Sequence, residues 1–263
     1  MNRKLIIVEG PPCSGKSTTS RFIAEELGMR FVDEGTGDHP ADYEFHAFIS
    51  REDMTNFTYA EQQQILSACT EKSDGFIVHL GEFSGELFEK LLQRKVYDFL
   101  PWETERPVML DKWHEFVQSI RDSKYVFNCV LLQNPMCETM MRFGFDVAAS
   151  EAYIRELCDI IKPLSPFVVY LKNSDIYNSV KKASVERGDD WLNAVIDYHC
   201  NGTFGKSCGL SGFDGYISAL EERQRRELDI LSRLDIDNAV IDDPQKDWTS
   251  AYSEIISKIN EVK

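Results

Sequence analysis

One short motif near the start of the chain constrains its fold more than any other feature. Residues 10–17 read Gly-Pro-Pro-Cys-Ser-Gly-Lys-Ser and match G-x-x-x-x-G-K-[ST] in full. The apolar run Leu5 to Glu9 precedes the motif and predicts a buried strand, and Ser17 to Leu27 follows it with helical spacing. The motif therefore predicts a strand, a tight loop and a helix N-terminus in succession, an arrangement that binds the phosphates of a nucleotide.

Each residue type in this loop has a physical reason. Glycine permits backbone angles and close approaches that a Cβ would prevent, so successive N–H groups can surround a phosphate. We expect Lys16 to reach the β- and γ-phosphates of ATP or GTP and the Ser17 hydroxyl to bind Mg²⁺. Cys13 is either a thiol with a lowered pKa or a small side chain at a variable position. The predicted nucleotide-binding residues are Gly10, Pro11, Pro12, Cys13, Ser14, Gly15, Lys16, Ser17 and Thr18.

The rest of the chain alternates apolar strands with helices, which predicts an α/β fold. We expect the P-loop NTPase fold, a parallel sheet flanked by helices, because alternating elements of this kind form parallel sheets. Residues 1–263 are predicted to form a single domain, with a mainly helical insertion at 36–120 and a lid-like region at 176–215. Within this scheme we expect strands at 30–32, 125–132, 167–171 and 239–242, a hairpin at 75–83, and helices at 58–71, 87–97, 107–120 and 151–161.

Composition limits the partners of the chain. Its 29 Lys and Arg residues against 44 Asp and Glu residues give a net charge of −15, which excludes a nucleic-acid polymer as a partner. No apolar run approaches the ~18–20 residues of a membrane span, and the apolar stretch at the start is too short for a signal peptide. Seven scattered cysteines are typical of reduced thiols in a cytoplasmic protein. We expect a small-molecule phosphoryl acceptor as the partner, and a homodimer is compatible with the sequence.

Candidate catalytic groups follow the second and fourth predicted strands. Asp33 and Glu34 come at the end of a strand, where an open parallel sheet collects its ligand groups. Either carboxylate could take the proton of an acceptor hydroxyl, and a solvated pair of loop residues is equally compatible with the sequence. Arg187, at the end of a predicted helix, could close over the transferring phosphate and stabilise its charge, or it could lie on an ordinary solvated face.

Several of these segments together carry a resemblance to known families. The motif with Val8-Glu9 before it, Asp33-Glu34, the 181–187 segment and the strand and helix after Ala239 resemble the thymidylate kinase and deoxynucleoside kinase group. Segments 38–43, 132–138, 196–199 and 212–216 resemble a family of uncharacterised bacterial ATP-binding P-loop proteins. The first resemblance implies that Lys16 and Ser17 bind ATP–Mg²⁺, that Glu34 or Asp33 is the base or a substrate contact, and that Arg187 is the lid cation.

The chain departs from the kinase group at one position. Those kinases have an acidic residue followed by arginine at the end of the third core strand, where this chain has Gln133-Asn134-Pro135. Glu138 and Arg142, in the next helix, are expected to supply the missing acid and cation as substrate-binding residues. We therefore expect an ATP-dependent kinase acting on a nucleoside, a nucleotide or another hydroxylated metabolite. The alternative is a nucleotide-binding switch or slow NTPase that acts through a protein partner.

Overall fold

The computed structural model describes residues 3–35 and 37–261. The chain divides into two compact units, one made of the residues up to Asp33 together with those from Ser119 onward, and one made of Glu34–Gln118. Each unit has its own sheet and its own hydrophobic core.

Strands and helices alternate through most of the chain. The strands are β1 Leu5–Glu9, β2 Arg30–Val32, β3 His46–Ser50, β4 Cys69–Glu71, β5 Gly75–His79, β6 Tyr125–Asn128, β7 Phe167–Lys172 and β8 Asp237–Asp242. The α-helices are α1 Lys16–Leu27, α2 Tyr59–Ala68, α3 Gly85–Leu92, α4 Val96–Phe99, α5 Trp102–Ser119, α6 Gln133–Met136, α7 Val147–Ile161, α8 Ile176–Arg187, α9 Asp189–Asn201, α10 Thr203–Ser207, α11 Gly212–Leu231 and α12 Trp248–Asn260. Among the described residues, no helix is both long enough and apolar enough to cross a bilayer.

The sheet of the first unit is the predicted parallel sheet flanked by helices. Its five strands lie in the order β2-β6-β1-β7-β8, and every neighbouring pair is parallel. All five residues of β1 are buried, because helices cover both faces of a central parallel strand. Ile6 and Val8 pack in one core with Ile23 of α1 and Ile255 of α12. The prediction of the fold class is confirmed.

The third strand of this sheet is shorter than its apolar run predicted. The run extends to Leu132, but β6 ends at Asn128 and the backbone turns at Cys129, which has a φ of +53°. The backbone N–H groups of Leu131 and Leu132 donate to the carboxylate of Glu9. The prediction of a strand over 129–132 is wrong, because this side chain takes the hydrogen bonds that a neighbouring strand would have taken.

The second unit contains the expected helices and, in addition, an antiparallel sheet. Its three strands lie in the order β3-β5-β4. The predicted hairpin over 75–83 is wrong, since β5 pairs with β3 and β4 and residues Leu80–Glu82 form a single 3₁₀ turn. Strand β3 falls in a polar, turn-rich stretch, but its Ala47 and Ile49 are fully buried in the core of this unit.

Three helices in this part of the chain have other bounds than their sequence signals predicted. Helix α2 ends at Ala68, and the last residues of the helix predicted over 58–71 form β4 instead. Helix α5 begins at Trp102 and includes Pro107, so it starts before the proline at which the sequence predicts its start. Helix α3 ends at Leu92, and the backbone at Tyr97 and Asp98 is not helical. Asp98 has a φ of +76°, which an α-helix of L-residues does not accommodate.

Candidate nucleotide-binding site

The loop between β1 and α1 depends on two glycines. Gly10 and Gly15 have φ angles of +143° and +91°, a region that favours glycine. A Cβ on Gly10 would lie 2.6 Å from the carbonyl oxygen of Leu171, and a Cβ on Gly15 would lie 2.4 Å from the ring of Trp248. Within the described ranges no side chain caps the start of α1, so the first N–H groups of this helix can bind an anion.

Lys16 is held inside this loop. Its side chain lies mostly buried, and its Nζ donates a hydrogen bond of 3.1 Å to the carbonyl oxygen of Pro11. The neighbouring Ser14 hydroxyl is buried and has no hydrogen-bond partner among the described residues. A buried ammonium group whose hydrogen bond is to a neutral carbonyl favours an anion beside it. The loop therefore has the cation and the polar groups that a phosphate requires.

Three polar side chains meet at the carboxyl ends of the strands. The Ser17 hydroxyl donates to Oδ1 of Asp33 at 3.2 Å, and Nδ2 of Asn128 donates to both of them, at 3.0 Å and 2.9 Å respectively. Parallel register explains the meeting, since Val8 of β1 lies opposite Asn128 and Val32 of β2 lies opposite the preceding residue of β6. In an open parallel sheet, ligands bind where connections from neighbouring strands leave in opposite directions. Here β1 connects to one side and β6 to the other.

Asn128 is a site residue that sequence reasoning missed. The sequence carries a signal for it, because it is an amide inside an otherwise apolar run, Tyr125 to Leu132. With the strand ending at residue 128, the end of the third core strand carries Asn128 rather than the Gln133 to which the sequence assigned it. The residue at this position is an amide in either alignment.

Glu9 holds the loop after β6 through hydrogen bonds, a role that the sequence analysis did not predict. Its carboxylate is fully buried and accepts hydrogen bonds from the backbone N–H groups of Leu131, Leu132 and Gln133, at 2.7–3.0 Å. Burial raises the pKa of Glu9 to about 7, although these three N–H groups act against the shift. A charged residue closing a buried strand was the signal in the sequence. Glu9 therefore ties the end of β1 to the loop that follows β6.

Arg187 acts electrostatically on Cys13, in the loop between β1 and α1. Burial raises the pKa of the Cys13 thiol, and the positive charges of Arg187 and Lys16 oppose that rise. The guanidinium of Arg187 lies at the end of α8, exposed, with Cζ 4.9 Å from the ring centre of Trp191. A raised thiol pKa favours the structural interpretation of Cys13 over a reactive one. The catalytic role of Arg187 stays a prediction.

Glu138 and Arg142 form an ion pair with each other. They lie four residues apart in a π-helix, Cys137–Arg142, with 2.7 Å between Oε2 of Glu138 and Nη1 of Arg142. The Glu138 side chain is almost fully buried. Helices of this type are frequent at functional sites. Their expected contact with substrate stays a prediction.

Helix α11 carries a buried ion pair. The mixed charges of residues 221–227 are typical of a solvated helix face, but Arg223 is 2% exposed and its Nε lies 3.1 Å from Oε1 of Glu227. Glu227 also accepts a hydrogen bond of 2.5 Å from the hydroxyl of Tyr170. Arg225, two residues further along, is exposed and pairs with Glu222. Positions i and i+4 of a helix share one face, so Arg223 lies beside Glu227 on the buried face of α11.

The described part of the chain contains no cluster of three or more His, Cys, Asp or Glu side chains arranged for a metal ion. Ser17 and Asp33 offer one hydroxyl and one carboxylate. Magnesium in nucleotide sites is commonly held by one or two protein carboxylates together with the substrate phosphates. Ser17 and Asp33 offer ligands of this kind, which the phosphates of a nucleotide would complete.

Comparison with known proteins gives similarity to kinases. No protein-family model matches the chain. A segment of 32 residues, 12% of the chain, is 50% identical to a cytidylate kinase of Ignicoccus hospitalis and spans only 19% of that protein.

Solved structures resemble the chain over nearly its whole length. Deoxyadenosine kinase from M. mycoides with bound dATP is 17% identical, with a TM-score of 0.46, over 98% of this chain and 100% of that one. Thymidylate kinase from Ehrlichia chaffeensis is 14% identical, with a TM-score of 0.44, over 97% of this chain and 98% of that one. By their names, the curated protein and these two solved structures are nucleoside or nucleotide kinases, the group that the motifs of the chain resemble.

Proposed function

We propose that this chain is a P-loop kinase that transfers the γ-phosphoryl group of ATP or GTP to a hydroxyl of a small molecule. The observation that carries the proposal is the loop with Gly15, Lys16 and Ser17, beside which Asp33 and Asn128 bond to the Ser17 hydroxyl. The acceptor class we propose is a nucleoside, a nucleotide or another hydroxylated metabolite. The short segment shared with a cytidylate kinase supports this class.

The residues around Ser17 fit a magnesium ion. Ser17 and Asp33 would hold it, since a hydroxyl and a carboxylate are hard oxygen ligands of the kind that Mg²⁺ prefers. The buried carbonyl oxygen Oδ1 of Asn128 has no hydrogen-bond partner among the described residues, which leaves an unused acceptor beside the pair. When bound, the ion would supply positive charge that offsets the negative charge of the nucleotide phosphates.

The chain's own residues supply binding, orientation and charge. The backbone N–H groups of the loop and of the start of α1 bind the phosphates, and Lys16 exchanges the carbonyl of Pro11 for a phosphate oxygen. Arg187 adds positive charge as the γ-phosphoryl group leaves the nucleotide. Such positioning and charge stabilisation make up nearly all of the catalysis in phosphoryl transfer.

We assign the base to Glu34 and the metal-holding carboxylate to Asp33, which bonds to the Ser17 hydroxyl. The acceptor oxygen forms a bond to the γ-phosphorus while the bond from that phosphorus to the bridging oxygen breaks. The nucleoside diphosphate leaves with the electrons of the broken bond. The proton of the acceptor hydroxyl passes to the carboxylate of Glu34.

Mass spectrometry of the products tests the proposal. The protein is incubated with Mg²⁺, ATP or GTP and a mixed library of nucleosides, nucleotides and sugars, and each product is searched for the gain of one phosphoryl group. We expect one class of acceptor to be phosphorylated, with little hydrolysis when no acceptor is present. Lys16→Ala should remove turnover, whereas Lys162→Ala, a matched change at an exposed ion pair with Asp235, should retain it. Normal turnover by Lys16→Ala would show that the site is assigned wrongly.

One observation favours the second candidate function. The end of β6 carries the amide of Asn128 where a carboxylate is usual in the kinases that the chain resembles, and weak chemistry suffices for a nucleotide-binding switch. A switch or slow NTPase would release only phosphate, slowly, whatever acceptor is offered. The product analysis therefore separates the two functions. Cytoplasmic location, a homodimer and a mobile lid over 176–215 stay predictions.

A further inference from the structure

Asn128, at the end of β6, belongs to a ring of hydrogen bonds between three side chains. Its side chain is fully buried, and its Nδ2 donates to Oγ of Ser17 at 3.0 Å and to Oδ1 of Asp33 at 2.9 Å. The Ser17 hydroxyl in turn donates to the same Oδ1 at 3.2 Å. The three side chains thus form one hydrogen-bonded ring, contributed by β6, α1 and the residue that follows β2.

The chemistry of the three groups determines how the amide is oriented. An ionised carboxylate only accepts hydrogen bonds, so the NH₂ group of Asn128, and not its oxygen, must face Asp33. An aspartate at position 128 would bring a second carboxylate against Asp33 and repel it. Oδ1 of Asn128 is buried and has no hydrogen-bond partner in the described part of the chain. The amide therefore donates a hydrogen bond to Asp33 beside Ser17, and its own oxygen is an acceptor without a partner among the described residues.

Asp33 also bonds to an arginine at the surface. Its Oδ2 accepts a hydrogen bond of 3.2 Å from Arg21, whose side chain is 62% exposed. An exposed ion pair of this kind is weak, so it holds the carboxylate less firmly than a buried hydrogen bond does. The bond from buried Asn128 keeps Oδ1 of Asp33 against the Ser17 hydroxyl.

From these contacts we infer that Asn128 is the positioning residue of the divalent-cation site. Its amide holds the Ser17 hydroxyl and the Asp33 carboxylate together as a preformed pair, which nucleotide phosphates complete. This chain thus takes the acid of the site from the end of β2 and keeps an amide at the end of β6. The inference rests on the proposed nucleotide-binding function. Outer-shell partners of this kind typically change metal affinity by about 10–100-fold.

Mn²⁺ is the probe for this inference, because electron paramagnetic resonance measures its free concentration. Titrations with Mn²⁺ and a non-hydrolysable ATP analogue are made with the wild type, Asn128→Ala, Ser17→Ala and the double variant. We expect Asn128→Ala to weaken binding of Mn²⁺ with the analogue about tenfold or more. The double variant should lose less than the sum of the two single losses, since Asn128 and Ser17 belong to one hydrogen-bonded ring and their changes are not additive.

Two further measurements separate positioning from a merely structural role. Binding of a fluorescent ATP analogue in EDTA should be the same in Asn128→Ala and in the wild type, because the loop itself is unchanged. Asn128→Asp should lower the thermal midpoint without metal, and Mn²⁺ should raise that midpoint more than it does in the wild type. Both results support the positioning role.

Wild-type affinity for Mn²⁺ with the analogue in Asn128→Ala would overturn the inference. An equal loss of nucleotide binding with and without metal would overturn it too, since it would show general damage to the loop. A wild type that binds Mn²⁺ with the analogue but phosphorylates no acceptor would refute the kinase proposal alone. A wild type that binds no nucleotide would overturn both proposals.

Discussion

The ring of Trp248 lies where a side chain on Gly15 would have to stand. A Cβ on Gly15 would be 2.4 Å from Cη2 and 2.8 Å from Cζ2 of Trp248, at a φ of +91°. Trp248 is the first residue of α12, so the start of the last helix packs against the loop between β1 and α1. The ring of Trp248 also lies 5.4 Å from that of Tyr252 in the same helix. Two independent features therefore require glycine at position 15: its positive φ angle and its contact with the ring of Trp248.

Gly15→Ala should destabilise the protein and weaken nucleotide binding. The positive φ costs about 1–2 kcal/mol for an L-residue, and the overlap with Trp248 adds to this cost. Gly28→Ala is the matched control, because Gly28 has a φ of +62° and nothing within 4 Å of a built Cβ. Urea unfolding should show a larger loss for Gly15→Ala than for Gly28→Ala. Equal losses in the two variants would contradict the contact with Trp248.

Asp33→Asn and Glu34→Gln should have different effects, because we assign the two neighbouring carboxylates different roles. Asp33→Asn removes the charge beside Ser17, so binding of Mn²⁺ with a nucleotide should weaken at least tenfold. Glu34→Gln should leave that binding unchanged and slow phosphoryl transfer by about 10²–10⁴-fold, the usual effect of losing a general base. Metal titration and single-turnover kinetics of both variants measure the split. The opposite pattern would assign the base to Asp33.

Arg223→Met should cost far more stability than Arg225→Met, although the two residues lie on the same helix. Removing Arg223 leaves the fully buried carboxylate of Glu227 without its cation, and breaking a buried pair costs about 3–5 kcal/mol. Arg225 is exposed with Glu222, and such pairs contribute about 0–1 kcal/mol. The measurement is the free energy of unfolding at pH 7. A small loss for Arg223→Met would show that Glu227 is neutral in the folded protein.

His199 should make stability depend on pH below neutrality. Burial and the nearby charge of Arg223 lower the pKa of His199 to about 4 in the folded protein, against about 6.5 in the unfolded chain. The unfolded chain therefore binds more protons between these values, so stability is complete above pH 6.5 and is lost as the pH falls toward 4. The loss is up to about 3 kcal/mol.

Urea unfolding at pH 7, 6, 5 and 4 measures this effect. His199→Gln cannot titrate, so its stability should fall less than that of the wild type over this interval. His114→Gln, a change at an exposed histidine, is the control and should follow the wild type. The same pH dependence in His199→Gln and in the wild type would show that His199 is not a titrating group of the fold.

The sequence alone determined the first unit's fold and the location of the glycine-rich loop between β1 and α1. The reason is local: a glycine-rich loop between a buried strand and a helix needs its own residue types at fixed spacing, and continuous apolar runs predict covered parallel strands. The bounds of β1 and β2 are those that the sequence predicted. The edges of β3 and β6 were not predictable in this way, since β3 lies in a polar stretch and β6 is ended by a carboxylate more than a hundred residues away.

The tertiary structure decided which polar side chains share the site. Asp33 and Asn128 are 95 residues apart in the chain, and only the parallel register of β2 and β6 beside β1 brings them to Ser17. The inward turn of Arg223 and the closure of Trp248 on Gly15 likewise depend on what α11 and α12 pack against. Residue types and spacing encode local geometry, whereas partners distant in sequence are selected by the packing of strands and helices, which one sequence does not reveal.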